Sequence, residues 1–400
     1  MTTLAVDGGS PVRTACFPPW PVFGQEELTA AEGVLTSGQV NYWTGGHGHA
    51  FEREFAAAVG TRHAVVVSNG TAALEIALHS LGIGPGGEVI VPATTFIATA
   101  AAVVRCGAKP VIADVDRRTL CLTRQTVEPL ISPRTRAIIV VHLGGHPAEL
   151  APLLRLAGQH DIRVVEDCAQ AHGARYFDQP VGSFGDIAAW SFCQDKILTT
   201  AGEGGAITTS NPSLWRRCWE FKDHGKNMRA SRHRVEPGFR WLHDSFGTNA
   251  RMTELQAAVG RVQLGRLSGW VKQRQANAGV LYDALAELPA IRVEGPPAHV
   301  EHAYYRFYAH VRPESLRAGW NRDRVVEAIG AEGVPCAHGG CAEIYRERAF
   351  AAIPGVPTRL PAAAEHGRTS LTLPVHPNLD AQDVIDVSDA VVKVLRAATR

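Results

Sequence analysis

Between residues 60 and 210, short apolar runs alternate with segments of helical spacing. HAVVVS (63–68), EVIVPA (88–93), KPVIADV (109–115), RAIIVVHL (136–143) and IRVVEDC (162–168) are rich in Val and Ile and too short for buried helices, so they predict strands. TAALEIALHSLG (71–82), TFIATAAAVVRCG (95–107) and AELAPLLRLAGQHD (148–161) predict helices between them. Strands that are apolar throughout and separated by helices indicate a parallel sheet covered on both faces. The rhythm then changes. DIAAWSF (186–192) and GAITTS (205–210) read as two strands with no helix between them, joined by a glycine-bearing connector. After residue 211 the chain is more polar and aromatic. RMTELQAAVGRVQLGRLSGWV (251–271) carries Met252, Leu255, Val259, Val262 and Leu267 at helical spacing, a long helix able to bridge to a second unit. AYYRFYAHV (303–311) predicts a strand and RDRVVEAIGAEG (322–333) a helix. The expected organisation is a large α/β unit over 1–250 that includes an N-terminal arm, a connecting helix over 251–275, and a smaller α+β unit over 276–400.

The bulk numbers narrow the function. At 400 residues the chain has room for two domains, and a net charge of +1 gives no global field for nucleic acid or an anionic membrane surface. No apolar stretch approaches the roughly 20 residues that span a bilayer. The start, MTTLAVDGGSPVRT, lacks a basic segment followed by an apolar run, so it does not read as a signal peptide. Eight cysteines are few for this length, and Cys106 and Cys168 lie in apolar runs that suit small buried thiols. The expectation is a cytoplasmic protein with reduced thiols.

In an open parallel sheet, ligands bind where strands end and helices begin. In SNGTAAL (68–74) a strand ends at Ser68, Gly70 turns the chain, and Thr71 and Ala72 open a helix. Such an N-terminus suits a phosphate, and it also suits a plain N-capped turn. In EDCAQAHGA (166–174), Asp167 closes an apolar strand. A carboxylate there needs a partner, either an arginine, a helix N-terminus or a protonated heterocycle. In SFCQDKILTTAGEGG (191–205), one of only six lysines, Lys196, sits on the connector between the two late strands. It is either a solvated charge or an amine that a crevice holds for Schiff-base chemistry. Taken together, an anion site, a carboxylate and a lysine on three loops of one sheet match pyridoxal 5′-phosphate (PLP). One holds the phosphate, one the pyridinium proton and one the aldehyde. Phe96, after VPATT, is placed at a further strand end and offers a face for stacking.

From GHAFEREFAAAVG (48–60) through SNGTAAL, VPATTFIATA, EDCAQAHGA and SFCQDKILTTAGEGG to FGTNARMTELQAAVG (246–260) and LTLPVHPNL (371–379), the chain resembles the DegT/DnrJ/EryC1/StrS sugar aminotransferases. The resemblance implies a fold-type I PLP enzyme with a mixed, mostly parallel seven-stranded sheet and a smaller C-terminal α+β domain. By resemblance, Lys196 is the Schiff-base lysine, Asp167 the pyridinium partner and Gln170 a neighbour of the ring hydroxyl. Phe96 fills the position of the stacking aromatic, and Thr71, Ala72 and Ser191 are phosphate ligands. Asn249 resembles the asparagine that reaches the phosphate of the neighbouring subunit, which implies a homodimer with shared active sites. The implied substrates are an amino acid donor, usually L-glutamate in this family, and a keto sugar, most readily a nucleotide-linked one.

Other segments are less specific. The glycine-rich SGQVNYWTGGHGHAFE (37–52) offers Tyr42 or Trp43 as walls for a sugar, or is an ordered N-terminal loop. His338 and Tyr345, in PCAHGGCAEIY (335–345), and His376, in LPVHPNL, are further candidates for substrate contact, against a structural role. Cys336, His338 and Cys341 lie close together but lack a zinc-finger spacing, and no metal is expected. The basic segment 221–241 is a solvated face or a site for a diphosphate. The same motifs accommodate an aminotransferase for a keto cyclitol and a 3-amino-5-hydroxybenzoate synthase. Related dehydratases carry histidine in place of the lysine, and a regulatory homologue would be expected to lose Lys196 or Asp167. No nucleotide fingerprint of a dehydrogenase is present.

Overall fold

A computed structural model of the chain describes residues 3–232, 241–340 and 342–400. The strands β1 (His63–Val67), β2 (Glu88–Pro92), β3 (Lys109–Ala113), β4 (Thr135–Val141) and β5 (Arg163–Asp167) come first. A short hairpin, β6 (Arg175–Tyr176) and β7 (Gln179–Pro180), precedes β8 (Ile187–Ser191) and β9 (Gly205–Thr209). The helices of this part are α1 (Gln25–Ser37), α2 (His47–Val59), α3 (Gly70–Ser80), α4 (Ala98–Arg105), α5 (Arg124–Val127), α6 (Leu150–Gln159), α7 (Pro212–Lys222) and α8 (Met228–Arg232). The long α9 (Glu254–Leu285) follows. The remainder comprises β10 (Ile291–Arg292), β11 (Val300–Glu301), β12 (Phe307–Val311), α10 (Arg322–Ala331), β13 (Ala337–His338), α11 (Pro361–Thr369), β14 (Ser370–Leu373) and α12 (Ala381–Ala398).

The main sheet has seven strands in the order β1-β9-β8-β5-β4-β2-β3. The sheet is parallel from β3 to β8; β9 runs antiparallel to both β8 and β1. Alternate residues of each strand feed two cores, as the two-residue period requires. Val66, Ile90, Ile138, Val140, Val164 and Trp190 pack with Phe51 and Phe55 of α2 and Leu153 and Leu156 of α6. Val65, Val89, Val91, Ile139, Val165 and Ile207 pack on the other face with Leu74 and Leu78 of α3, Val103 of α4 and Trp219 of α7. Both faces are covered, which explains why the strands read as continuous apolar runs.

A third core belongs to a four-stranded antiparallel sheet, β10-β12-β14-β13, covered by α10 and α12. The helix expected over 251–275 continues to Leu285. Its N-terminal part packs on the main sheet through Ala257 and Val271, and its C-terminal part packs on the third core through Ala278, Leu281 and Leu285. Its start is fixed by a reciprocal cap between Thr253 and Gln256. The N-terminal arm, expected with the large unit, touches both: Leu4 is buried in the third core and Arg13 pairs with Asp383 and Asp386 of α12 at 2.8 Å each, while Trp20 bonds the Lys196 carbonyl. Conversely, Ile344, Tyr345, Phe350 and Ala363 return to the core of the main sheet. The strand expected over 303–311 begins only at Phe307, since residues 303–306 bond to the glycine loop at 144–145 instead. No described helix is long and apolar enough to cross a membrane.

Candidate active site

A cavity of about 860 Å³ opens at the carboxyl ends of β1, β2, β5 and β8, where residues of the small sheet close over it. Its lining brings together Thr71, Ala72, Phe96, Asp167, Gln170, Ser191, Lys196 and His338 of the sequence-predicted residues.

At one end is the start of α3. The Asn69 side chain accepts the Ala72 N–H at 2.8 Å and caps the helix, which leaves the N–H groups of Gly70 and Thr71 at the cavity end of the dipole. Gly70 is required by packing: a Cβ there would lie 2.6 Å from the Ser191 Cβ. The glycine brings β8 and the N-terminus of α3 together, and Ser191 and Thr71 line the same wall. Phe96 lies on the connection from β2 to α4 and is 59% exposed, so its ring is free to cover a planar ligand.

Asp167 ends β5 and is buried. Its Oδ2 accepts the Thr99 hydroxyl at 2.9 Å and its Oδ1 the Ala169 N–H at 3.2 Å. Burial pushes its pKa up, against the opposing pull of these two hydrogen bonds and of Lys196. Among the described residues no lysine or arginine is ion-paired with it. A buried carboxylate in that state fits a cationic ring nitrogen. The preceding residue, Glu166, points to the other face. It accepts N–H groups from Gly182 (2.7 Å), Phe184 (2.8 Å) and Gly185 (2.7 Å), and lies 3.2 Å from His142 Nε2. The Nδ1 of His142 takes the Ala148 N–H at 3.0 Å, which assigns the ring proton to Nε2. Glu166, His142 and Cys168 lie close enough for a metal. However, the lone pairs of Glu166 and the Nδ1 of His142 are already occupied, and the cluster acts as a strut that fixes the turn before β8.

The connector between β8 and β9 is tied to itself. Phe192 N–H bonds to Gly204 O (2.7 Å), Gln194 N–H to Gly202 O (2.9 Å), and Thr200 N–H to Phe192 O (3.1 Å). The Thr200 hydroxyl closes on Glu203 O at 2.6 Å. Ala201 and Gly202 take the left-handed turn, with φ of 62° and 121°. Lys196 sits on this frame with its carbonyl accepting the Trp20 indole N–H at 3.0 Å. Its side chain is 15% exposed, with Nζ 4.0 Å from Asp195 Oδ1 and 4.8 Å from the centre of the Tyr305 ring. Gln170 is turned so that its Oε1 accepts the Gly144 N–H at 2.7 Å.

Five expected residues do not reach this cavity. Tyr42 is 1% exposed and lies in a buried cluster, its ring 3.4 Å from Lys222 Nζ and its hydroxyl on Glu52. It is therefore corrected from a substrate wall to a core residue. Trp43 covers Lys226 (4.2 Å) beside Trp219. Tyr345 is buried under the main sheet, where its hydroxyl meets Glu343 and the Leu360 N–H. His376 stacks against Trp20, and burial pushes its pKa down to about 4. Asn249 is exposed, outside the cavity, and pairs with Asp223 through an isolated bridge. Residues 233–240 of the basic segment, and Cys341, lie outside the described residues. Sequence reading missed Asn69, Thr99, Asp195, Tyr305 and Arg306, all of which line the cavity. The spacing of Thr99, in the first turn of α4, three residues after Phe96 is a usable signal. Nothing in the pattern of 303–311 distinguished its first residues from a strand.

The model of the DegT/DnrJ/EryC1/StrS aminotransferase family matches residues 21–392. The chain is 38% identical over 358 residues to dTDP-3-amino-3,4,6-trideoxy-alpha-D-glucose transaminase of Streptomyces venezuelae, covering 90% of this chain and 89% of that protein. It is 39% identical over 338 residues to L-glutamine:2-deoxy-scyllo-inosose aminotransferase of Micromonospora echinospora, covering 83% and 80%. An aminotransferase structure from Psychrobacter cryohalolentis superposes with a TM-score of 0.93 at 45% identity, over 96% of this chain and 99% of that one. The cavity at the sheet's carboxyl edge, with its lysine, carboxylate and helix N-terminus, thus lies in a chain that belongs to the DegT/DnrJ/EryC1/StrS aminotransferase family.

Proposed function

We propose that this aminotransferase holds PLP at Lys196 and moves an amino group from an amino acid, L-glutamate or L-glutamine, to a keto group on a nucleotide-linked sugar. The observation that carries the reading is the buried Asp167 carboxylate, facing the same cavity as the Lys196 amine and the open start of α3. When bound, PLP supplies an electron sink and a carrier for the amino group. The chain's residues do the rest. The N–H groups of Gly70 and Thr71, with the Thr71 and Ser191 hydroxyls, bind the phosphate. Asp167, oriented by Thr99, retains the proton on the ring nitrogen. Phe96 covers one ring face, and Gln170, held by Gly144, fixes the edge near the ring hydroxyl. With PLP bound, the Nζ of Lys196 would carry the proton at the substrate carbon.

Asn249 reads as a residue that serves the neighbouring subunit, since it is exposed and outside its own chain's cavity. Phe246, three residues earlier, is 98% exposed, which suits a surface that a second copy covers. The working assembly in this reading is a cytoplasmic homodimer. A keto cyclitol is the second acceptor class, because the likeness to the scyllo-inosose enzyme is as high as that to the nucleotide-sugar enzyme. The test is absorbance of the purified protein mixed with PLP, then with each amino acid, then with keto nucleotide sugars and keto cyclitols. Turnover with a nucleotide sugar is expected, and the Lys196→Ala variant should show none. Retained transamination in that variant refutes the assignment.

A further inference from the structure

We propose that Arg306 binds the carboxylate of the amino donor, and that Asp195 is its internal competitor for that site. This rests on the transaminase reading above and names how the donor is held.

The Nη2 of Arg306 lies 3.7 Å from Asp195 Oδ2, while Asp195 Oδ1 lies 4.0 Å from Lys196 Nζ. One carboxylate therefore bridges the guanidinium and the amine. An α-amino acid that presents its nitrogen near Lys196 needs its carboxylate in the same neighbourhood, and a carboxylate taken out of water needs a counter-charge. Among the described cavity-lining residues, Arg306 carries the one guanidinium. Its planar fork suits a carboxylate better than an ammonium does.

The present pair is easily exchanged. Arg306 and Asp195 are 45% and 50% exposed, so their attraction is screened and weak. The Tyr305 hydroxyl also donates to Asp195 and is available as a second donor to an incoming carboxylate. The backbone beneath is rigid. The buried Arg274 of α9 bonds the carbonyls of Tyr304 (3.2 Å) and Tyr305 (3.4 Å), and Arg306 N–H reaches Gly144 O at 3.4 Å. Gly145 permits this approach, since a Cβ there would lie 2.9 Å from the Tyr304 and Tyr305 nitrogens. Donor binding thus exchanges side chains on a fixed platform, at low cost in reorganisation.

The experiment separates the half-reactions of the PLP-loaded protein. Arg306→Gln should raise the half-saturating concentration of L-glutamate or L-glutamine about tenfold or more, the loss of one charge-assisted contact. It should leave that of the amino-sugar product, run backward, within about twofold. Arg306→Lys should fall between, and Asp195→Asn should lower the value for the amino acid. Calorimetry with glutarate, which needs no turnover, should show binding to the parent that Arg306→Gln weakens. An unchanged donor value in Arg306→Gln overturns the proposal. So does an equal loss in both arms, or a loss confined to an acidic acceptor, which would assign the carboxylate to that substrate. A parent inert to every amino acid would instead refute the transaminase reading, and glutarate binding would still report on Arg306.

Discussion

The Asp167 carboxylate accepts the Thr99 hydroxyl at 2.9 Å inside a buried wall where no described lysine or arginine is ion-paired with it. Because burial raises its pKa, the folded chain holds this proton to higher pH than the unfolded chain does. The contribution to stability is full below the ordinary carboxylate range and is lost as pH rises through the raised value. Asp167→Asn should therefore give the cofactor-free protein a higher Tm at pH 8 than the parent. The same variant should lose about two to three orders of magnitude in kcat, the cost of removing one member of a buried charge pair. Thermal melts and turnover at pH 8 check both signs.

One residue earlier, Glu166 behaves in the opposite sense. Burial pushes its pKa up, but the His142 hydrogen bond and the N–H groups of Gly185 and Gly182 outweigh burial and hold it below the usual value. Its stabilisation is present above the ordinary carboxylate pKa and is lost as pH falls through the lowered one. Glu166→Ala should cost about 3–5 kcal/mol, since three backbone donors lose their acceptor together. Urea unfolding at pH 7 measures this loss, and the gap between parent and variant should narrow on acidification.

Gly70→Ala is a steric test of the anion site. The added methyl would meet Ser191 at 2.6 Å, and the start of α3 must move away from β8. Overpacking of this kind costs about 1–3 kcal/mol. We expect PLP affinity to fall by at least about tenfold with far-ultraviolet circular dichroism unchanged, as read by equilibrium dialysis.

The proposed sharing of sites between two copies makes a prediction that single variants cannot. Lys196→Ala and Asn249→Asp should each be nearly inactive as pure dimers, the second because a carboxylate would face a phosphate. Unfolded together and refolded, they should regain activity, since a mixed dimer contains one intact site. No recovery on mixing would place Asn249 and Lys196 in the same chain's site.

The parts legible in the sequence were those governed by short-range rules. Uniform apolar strands reported a sheet covered on both faces, and the three loops at its carboxyl edge were found because the strands ended there. The bounds of α9 were short by ten residues because its second half packs on a different core, so the apolar stripe shifts face along the helix. Tyr42, a candidate sugar wall in a glycine-rich loop, is instead buried. Its burial depends on Lys222 and Glu52, which are distant in sequence. Arg306 was invisible for the same reason. Its role depends on a fold-back onto Gly144 and Asp195 that no local period encodes.

The N-terminal arm ties α12 and the third core to the lysine loop. Leu4 and Arg13 are fastened to elements near the C-terminus, and Trp20 then bonds the carbonyl of Lys196. Asp383 and Asp386 lie more than 360 residues from Arg13 in sequence, so these contacts close a very long loop. The indole that props the lysine loop thus sits on a segment whose other anchors lie in the third core, so the seating of Lys196 is tied to the folding of both units.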